Sequence, residues 1–431
     1  MKSIKEQVHS LKDKGAFHVV LGSFATKFVS FFGSIFLVRL LSKQEYGILS
    51  YYENIFGYFI ILAGLGLSAG VLRYIVIAPT KGEKYECYRH AQYKGGYVNV
   101  LLLVLALLFV FLFPHPDGFR NDEIIGTVLM LCIPFIFCYN TCFSSFRGCL
   151  DNKNYALLSF ITAFILVLAR VVGAALFGLY GSVIFRLLFE LLSAVICVLC
   201  VKRFLFHGVT PIQLSKPFKR QFDVYSIQLM LTDGLWAIFM LNDMFILGQL
   251  LGDESIIADY KVAFVIPANL SIIASSIGIF VAPYFTKYEH NGDYSWVRKN
   301  LNRVLLLSLG IMGVACILCF VLAKPIILLL YGQQYLNVIP LMQVLLVASF
   351  FNNGLRQTLA NILSAVGKQV VNLIIAGVGI VLQITLDIII IPKYGGIGLA
   401  WASSIVYFFM GISLLIIVYK NFYNIKLIKN G

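Results

Sequence analysis

Apolar residues recur along the chain in runs of about 20, and short polar segments separate the runs. A helix rises about 1.5 Å per residue, so a run of this length crosses the roughly 30 Å hydrocarbon core of a bilayer. The pattern predicts an all-α integral membrane protein with about 12 transmembrane helices. The predicted spans are residues 17–38, 47–77, 95–113, 123–146, 155–177, 181–201, 222–251, 261–286, 301–322, 336–366, 369–391 and 396–419.

The second half of the pattern echoes the first at an offset of about 209 to 215 residues. This repetition predicts two six-helix lobes. An even number of spans gives both lobes the same orientation, so a pseudo-two-fold axis along the membrane normal relates them, and they face a central cavity. The matching pairs are FLVRLLSKQE at 36–45 with FILGQLLGDE at 245–254, NK at 152–153 with GK at 367–368, and YG at 180–181 with YG at 394–395.

The spans and loops together predict five segments. The N-terminal segment places Ile4, Val8 and Leu11 on one helical face, which is typical of a short amphipathic helix on the membrane surface, although a frayed polar tail fits the same residues. The basic segment between the lobes contains Pro211 and Pro217 and predicts a cytoplasmic linker. The predicted segments are the N-terminus 1–16, an N-lobe 17–201, the linker 202–221, a C-lobe 222–420 and a tail 421–431.

Composition and charge support a membrane location. The 431 residues are 60% hydrophobic and only 13% charged, with a mean hydropathy of +0.87, whereas soluble proteins are about 25% charged. Of 34 Lys and Arg residues, about 23 fall on one side of the predicted membrane, which predicts that side, with both termini, to be cytoplasmic. The basic residues responsible for the net charge of +14 are then expected to face anionic lipid headgroups. No nucleic acid is therefore expected as a partner.

Ten charged residues lie inside the predicted spans and away from their first few positions, where each charge costs roughly 2.5 to 3.5 kcal/mol. Such residues are expected to face an internal cavity or one another, so the chain should have a charged, solvated interior. The basic ones are Lys27, Arg73, Arg170, Arg186 and Arg356, and the acidic ones are Glu53, Glu190, Asp233, Asp243 and Asp387.

The sequence shows no nucleophile elbow, phosphate-binding loop or metal-ligand cluster. The predicted external loops, such as 114–122 and 252–260, are too short for an extracytoplasmic catalytic domain. The two Cys-x-x-Cys pairs lie in apolar runs, which favours packing over metal or redox chemistry. We therefore expect a transporter rather than an enzyme, without a metal or cofactor and driven by an ion gradient or by the gradient of its substrate.

Several short motifs resemble the Wzx-type flippases of polysaccharide repeat units, a branch of the multidrug/oligosaccharidyl-lipid/polysaccharide (MOP) exporter superfamily. The resemblance covers essentially the whole chain and implies a fold like that of the MATE exporters in the same superfamily. The motifs are GS at 22–23, Lys27, FLVRLLS at 36–42, EYG at 45–47, GLGLS at 64–68, RY at 73–74 and IPKYGGIG at 391–398.

The resemblance implies translocation of undecaprenyl-pyrophosphate-linked oligosaccharides across the bacterial plasma (inner) membrane, for O-antigen, capsule or exopolysaccharide. Its implied partners are membrane lipids, a polysaccharide polymerase and a chain-length regulator. A pyrophosphate carries at least two negative charges and needs cationic partners during transit. Arg73 has the alternative of reaching lipid headgroups, and Arg186 that of pairing with Glu190 four residues later. The candidate pyrophosphate ligands are Lys27, Arg73 and Arg356, followed by Arg170 and Arg186.

The same resemblance implies coupling to a proton or Na⁺ gradient. A carboxylate inside a transporter can load and release a cation as the cavity opens to each side, but it can equally form a static ion pair between helices. Asp233 and Asp243 are ten residues apart and project from roughly one face of their predicted span. The candidate coupling residues are Glu53, Asp243, Asp387 and Asp233.

Rival functions remain open on the sequence. A cation-coupled multidrug exporter of the same superfamily would need an acidic cavity for cationic drugs. A membrane glycan polymerase or glycosyltransferase would need a sizeable catalytic loop, and a scaffold without transport would leave the internal charges without a role.

Two glycines predict how one helix packs. Gly66 and Gly70 form a Gly-x-x-x-Gly spacing, which predicts that their helix approaches a neighbouring helix closely.

Overall fold

A computed structural model describes residues 16–120 and 122–423, so the predicted N-terminal surface helix and most of the predicted tail lie outside the described residues. Every regular element in the described part of the chain is helical. The chain divides into two compact units, unit 1 with Met1–His115 and Phe119–Ile238, and unit 2 with Pro116–Gly118 and Phe239–Gly431.

Unit 1 contains seven long or medium helices and the first part of an eighth. The helix α2 begins with a capping box, in which the Glu45 N–H donates to Ser42 Oγ at 3.2 Å and the Ser42 N–H donates to Glu45 Oε2 at 2.8 Å. The helices are α1 Ala16–Leu40, α2 Lys43–Leu62, α3 Leu67–Ile77, α4 Lys81–Leu112, α5 Glu123–Met130, α6 Ile133–Gly148, α7 Asn152–Cys200 and α8 Lys216–Leu251.

Unit 2 contains the end of α8, which crosses the division between Ile238 and Phe239. A π-helical segment, Phe350–Gln357, lies between α13 and α14. The remaining helices are α9 Glu254–Asn269, α10 Ser271–His290, α11 Tyr294–Val321, α12 Ala323–Tyr331, α13 Ile339–Ser349, α14 Thr358–Ala365 and α15 Gln369–Tyr423.

Nine helical stretches of the described residues are long and apolar enough to cross a membrane. Two of them are 54 and 52 residues long, which is about twice the length that a bilayer requires. Each of these contains a break with a glycine at positive φ, Gly178 in α7 (60°) and Gly395 in α15 (58°). The breaks fall where the sequence predicts loops between spans. The number of twelve spans and the symmetry of two lobes stay predictions.

The predicted span 47–77 lies within one apolar stretch long enough to cross a membrane, Lys43–Ile77, but the helix is interrupted between α2 and α3. Gly64, Leu65 and Gly66 all have positive φ (57°, 49° and 74°). The buried Asn99 side chain accepts a hydrogen bond from the Gly64 N–H at 2.8 Å and replaces one of the lost helical bonds. Hydropathy does not detect the break, since the residues around it are all apolar or glycine.

The helix that contains the predicted third span, 95–113, begins well before residue 95. The helix α4 begins at Lys81, after Thr80, whose Oγ1 accepts a hydrogen bond from the Glu83 N–H at 3.2 Å. The first turns of α4 are polar, so a hydropathy window excludes them although they are helical.

Candidate functional site

A cavity of about 780 Å³ lies in unit 1 between α3, α6, α7 and α8. Two arginines line it, Arg73 from α3 and Arg147 from the last turn of α6, and none of its described lining residues is acidic. We call it the cationic cavity. Its lining residues are Ser68, Ala69, Leu72, Arg73, Val76, Ile77, Asn140, Phe143, Ser144, Arg147, Tyr155, Tyr225 and Leu229.

Each arginine of the cationic cavity lies over a tyrosine ring. The Arg73 guanidinium carbon is 4.4 Å from the ring centroid of Tyr225, and that of Arg147 is 5.4 Å from the ring centroid of Tyr155. Neither arginine forms an ion pair with another described residue. A cation over an aromatic face is held in place while its N–H donors remain free for a ligand. The arrangement is suited to binding an anion.

Asp233 lies beside this cavity rather than with the other carboxylates. It lines a smaller space of about 210 Å³ in unit 1. Ser68, Asn140 and Leu229 line both spaces, so the smaller one adjoins the cationic cavity. The side chain of Asp233 is exposed.

Four charged residues of the predicted spans form one ionic network in unit 1, and three of them, Glu53, Arg170 and Arg186, are candidate site residues. Glu53 Oε1 accepts hydrogen bonds from Arg170 Nη2 at 2.5 Å and from Arg186 Nη1 at 2.9 Å. Arg186 Nε lies 3.5 Å from Glu190 Oε1, and the Arg186 guanidinium also lies 5.0 Å from the ring centroid of Phe56. Two positive and two negative groups therefore meet between α2 and the two halves of α7. Arg170 and Arg186 are already engaged with carboxylates, unlike the arginines of the cationic cavity.

Two buried carboxylates come together in unit 2. Asp243 lies on α8 and is 9% exposed, and Asp387 lies on α15 and is fully buried. The Ser403 hydroxyl donates to Asp243 Oδ2 at 3.0 Å, and Gln383 Nε2 donates to Asp387 Oδ1 at 2.8 Å and to Ser403 Oγ at 3.3 Å. No described Lys, Arg or His forms an ion pair with either carboxylate.

The Tyr260 hydroxyl lies beside Asp243. Three buried oxygens of the two carboxylates and of Gln383 still lack a donor in hydrogen-bond geometry, namely Asp243 Oδ1, Gln383 Oε1 and Asp387 Oδ2. Buried acceptors without donors are costly, and carboxylate, amide and hydroxyl oxygens are the ligands that hard cations prefer. The pair can therefore hold a proton or a small cation. Among the described residues, no group of three or more His, Cys, Asp or Glu side chains forms a metal site.

Lys27 and Arg356 are the remaining basic candidates. Lys27 is an exposed residue of α1 without an ion pair to another described residue. Arg356 belongs to the π-helical segment in unit 2, where its Nε donates to Asn352 Oδ1 at 2.6 Å. Neither residue lines the cationic cavity.

Three residues of these sites were not predicted from the sequence, namely Arg147, Gln383 and Ser403. Arg147 follows the predicted fourth span by one residue, so hydropathy placed it at the membrane boundary. A pattern was present, however, because Asn140, Ser144 and Arg147 repeat at the spacing of one helix face within an otherwise apolar segment. Gln383 lies four residues before Asp387, a spacing that places the two side chains next to each other on one helix face.

The nine long apolar helical stretches of the described residues define the class of protein as a multi-pass membrane protein. A multidrug resistance MATE family transporter of the MOP superfamily, in an inward-facing conformation, has the same fold, with a TM-score of 0.76 and 15% identity over 93% of this chain and 95% of that chain. The lipid II flippase MurJ, in an inward closed conformation, gives a TM-score of 0.70 and 17% identity over 95% of this chain and 90% of that chain. The predicted MATE-like all-α fold is confirmed.

The sequence defines the family more closely. The family model described as "Polysaccharide biosynthesis protein" matches residues 13–289, which is more than half of the chain. A putative O-antigen transporter of Shigella flexneri is 26% identical over 191 residues, or 44% of this chain and 44% of that protein. The chain belongs to the polysaccharide biosynthesis protein family, and its resemblance to Wzx-type members of the MOP superfamily is confirmed.

Proposed function

We propose that this protein is a flippase that moves undecaprenyl-pyrophosphate-linked oligosaccharides across the bacterial plasma membrane by alternating access. The observation that carries the proposal is the cationic cavity, in which Arg73 and Arg147 have no acidic neighbour among the described lining residues. In this proposal both termini are cytoplasmic, and the protein transports its substrate without changing it chemically. Membrane lipids, a polysaccharide polymerase and a chain-length regulator are its proposed partners.

The chemistry of the cavity fits a pyrophosphate. A guanidinium group can donate two parallel hydrogen bonds to phosphate oxygens, and such charge-assisted bonds are about twice as strong as neutral ones. The hydroxyls of Ser68 and Ser144 and the amide of Asn140 line the same space and can satisfy further phosphate oxygens. The volume of about 780 Å³ lies within the range of about 300 to 1,000 Å³ for small-molecule sites.

The comparisons support the same substrate class. Two of the similar proteins are described as a putative O-antigen transporter and as a lipid II flippase. The multidrug-exporter alternative is less favoured, because two arginines without carboxylates would repel a cationic drug. Nothing in the described residues favours a polymerase.

We further propose that Asp243 and Asp387 form the coupling site for a proton or Na⁺. Both carboxylates lie within apolar helices and lack a basic partner among the described residues. Two uncompensated charges at this depth are unfavourable, so a bound proton or cation offsets them. Glu53 is less suited to this role, since Arg170 and Arg186 already neutralise it.

Replacement of the cavity arginines tests the flippase proposal. Arg73→Gln and Arg147→Gln should each slow movement of undecaprenyl-pyrophosphate-linked oligosaccharide by about 10-fold to 100-fold, the loss expected for one hydrogen bond to a charged group. The measurement is the rate of lipid movement in proteoliposomes, with surface polysaccharide in a flippase-deficient strain as the cellular readout.

Arg89→Gln is the matched control. Arg89 also lies near a tyrosine, 5.6 Å from the ring centroid of Tyr93, but it does not line the cationic cavity. The control should transport at the native rate. Native rates in both cavity variants, with normal protein abundance, would refute the proposed anion site.

A further inference from the structure

A polar cavity lies in unit 2, between α10 and the helical segment that ends with α14. Its volume is about 380 Å³, at the small end of the range for small-molecule sites. All of its described lining residues are uncharged, and four of them carry hydrogen-bonding side chains. The lining residues are Ser275, Gly278, Ala282, Gln357, Asn361, Ser364 and Ala365.

The amide groups in this cavity are incompletely satisfied within the protein. Gln357 Nε2 donates to Ser275 Oγ at 3.3 Å. Asn361 makes no side-chain hydrogen bond to another described residue. A primary amide has two N–H donors and a carbonyl oxygen that can accept two bonds. Asn361 therefore offers both donors and acceptors to the cavity, and the Gln357 carbonyl offers acceptors.

Gly278 makes the position of Asn361 possible. A Cβ atom at residue 278 would lie 2.3 Å from Asn361 Nδ2, which is far inside van der Waals contact. Only glycine at this position lets the amide lie against α10. The cavity is thus shaped by the smallest residue on one helix and an amide on the facing helix.

The chemistry of the lining defines the class of ligand. A phosphate would need a cation, and an organic cation would need a carboxylate or aromatic face, and none of these lines the cavity among the described residues. Sugar hydroxyls both donate and accept hydrogen bonds, which matches amides and hydroxyls without formal charge. Arg356 precedes Gln357 in the sequence, but it bonds to Asn352 and does not line this cavity.

We infer that this cavity binds an uncharged sugar ring through Gln357 and Asn361, and so recognises the glycan part of the transported molecule. The inference rests on the proposed function, because it assigns part of the same substrate to unit 2. It assigns the glycan to neutral amides, a chemistry different from that of the arginines proposed for the pyrophosphate.

The test compares two lipids in the same proteoliposomes, undecaprenyl pyrophosphate alone and undecaprenyl pyrophosphate carrying a neutral disaccharide. Asn361→Leu and Gln357→Leu replace each amide by an apolar side chain of similar size. Together they should slow the disaccharide-bearing lipid about tenfold, the loss expected for two neutral hydrogen bonds, and leave the rate of the bare lipid unchanged. The ratio of the two rates is the readout, because a general loss of folding would lower both.

Gln343→Leu in the same unit is the control, since Gln343 is a half-buried amide of α13 outside the cavity. An unchanged rate ratio in the double variant, or equal slowing of both lipids, would overturn the sugar site and leave the flippase proposal standing. If the native protein moved neither lipid, the proposed function would fail and the sugar site with it.

Discussion

Arg73 and Arg186 are both arginines in membrane-spanning helices of unit 1, but they differ in their ability to bind an external anion because their neighbours differ. Arg186 lies between Glu53 and Glu190, so its charge is compensated within the protein. Arg73 lies over the neutral ring of Tyr225 and has no carboxylate among the described residues. An arginine can bind an external anion strongly only where no internal anion already occupies its donors.

Glu53 is the centre of the ionic network and should be important for stability. Glu53→Gln removes the negative charge that compensates Arg170 and Arg186, whose side chains are only 21% and 14% exposed. Breaking a buried pair from one side costs about 3 to 5 kcal/mol, and the partial exposure here favours the lower end. We expect a lower midpoint of thermal unfolding in detergent.

Glu83→Gln is the control for this prediction. Glu83 is a capping residue of α4, and glutamine serves equally well in a capping box. Its unfolding midpoint should match that of the native protein. Equal midpoints for the two variants would show that the Glu53 network contributes nothing to stability.

The sequence could indicate the charged residues of the site but not their pairing. Hydropathy identified Arg73, Glu53 and Asp387 because each interrupts an apolar run. It could not show that Arg170 and Arg186 share one carboxylate, since Glu53 precedes Arg170 by 117 residues along the chain. Arg147 was missed because a charge at the end of a span normally indicates a membrane boundary.

At the scale of the helices, the break between α2 and α3 shows what hydropathy leaves out. The break places Gly66 against α8, where a Cβ atom would lie 2.4 Å from the Ser226 carbonyl oxygen. Gly70 packs against the same helix, with Ser226 Oγ at 2.0 Å from the position of a Cβ atom. The close approach predicted from the Gly-x-x-x-Gly spacing is confirmed, although one of the two glycines caps a helix instead of lying within it.

Gly66→Ala should destabilise the protein for two reasons. The residue has a φ of 74°, which costs alanine roughly 1 to 2 kcal/mol, and the new methyl group would clash with Ser226. We expect a clear decrease in the unfolding midpoint and a lower yield of folded protein in detergent.

Gly96→Ala is the matched control, because Gly96 lies within α4 and a Cβ atom there would contact nothing within 4 Å. Alanine in such a helical position stabilises by about 0.5 to 1 kcal/mol. If Gly66→Ala unfolded at the same temperature as Gly96→Ala, the break would not depend on glycine.

At the scale of the whole molecule, the apolar pattern was sufficient to predict an all-α membrane fold, because the bilayer fixes the length and composition of each span. It also anticipated the bends at Gly178 and Gly395, where short polar or glycine-containing segments separate predicted spans. It could not predict the carboxylate pair of unit 2, because Asp243 and Asp387 lie on helices far apart in the sequence and meet through Ser403.

The proposed coupling to an ion gradient would be a property of the whole molecule, and Asp387→Asn should abolish it. Asparagine keeps the size of the side chain but cannot carry the charge that a proton or Na⁺ offsets. An imposed Na⁺ or pH gradient should accelerate lipid movement by the native protein in proteoliposomes and leave the rate of the variant unchanged.

Asp253→Asn provides the control, since Asp253 caps α9 and asparagine is an equally good capping residue. This control should respond to the gradient like the native protein. A native response to both gradients in Asp387→Asn would exclude this carboxylate from coupling.

The net charge of the cationic cavity should respond to the membrane potential. Its two arginines have no compensating carboxylate among the described lining residues. The membrane potential acts on net charge, at about 2.3 kcal/mol per elementary charge for each 100 mV. A pyrophosphate with two negative charges would neutralise the pair, so the loaded cavity could reorient without electrical work. The empty cavity would carry two positive charges, and a potential that is negative inside would draw it back toward the cytoplasm, ready for the next substrate.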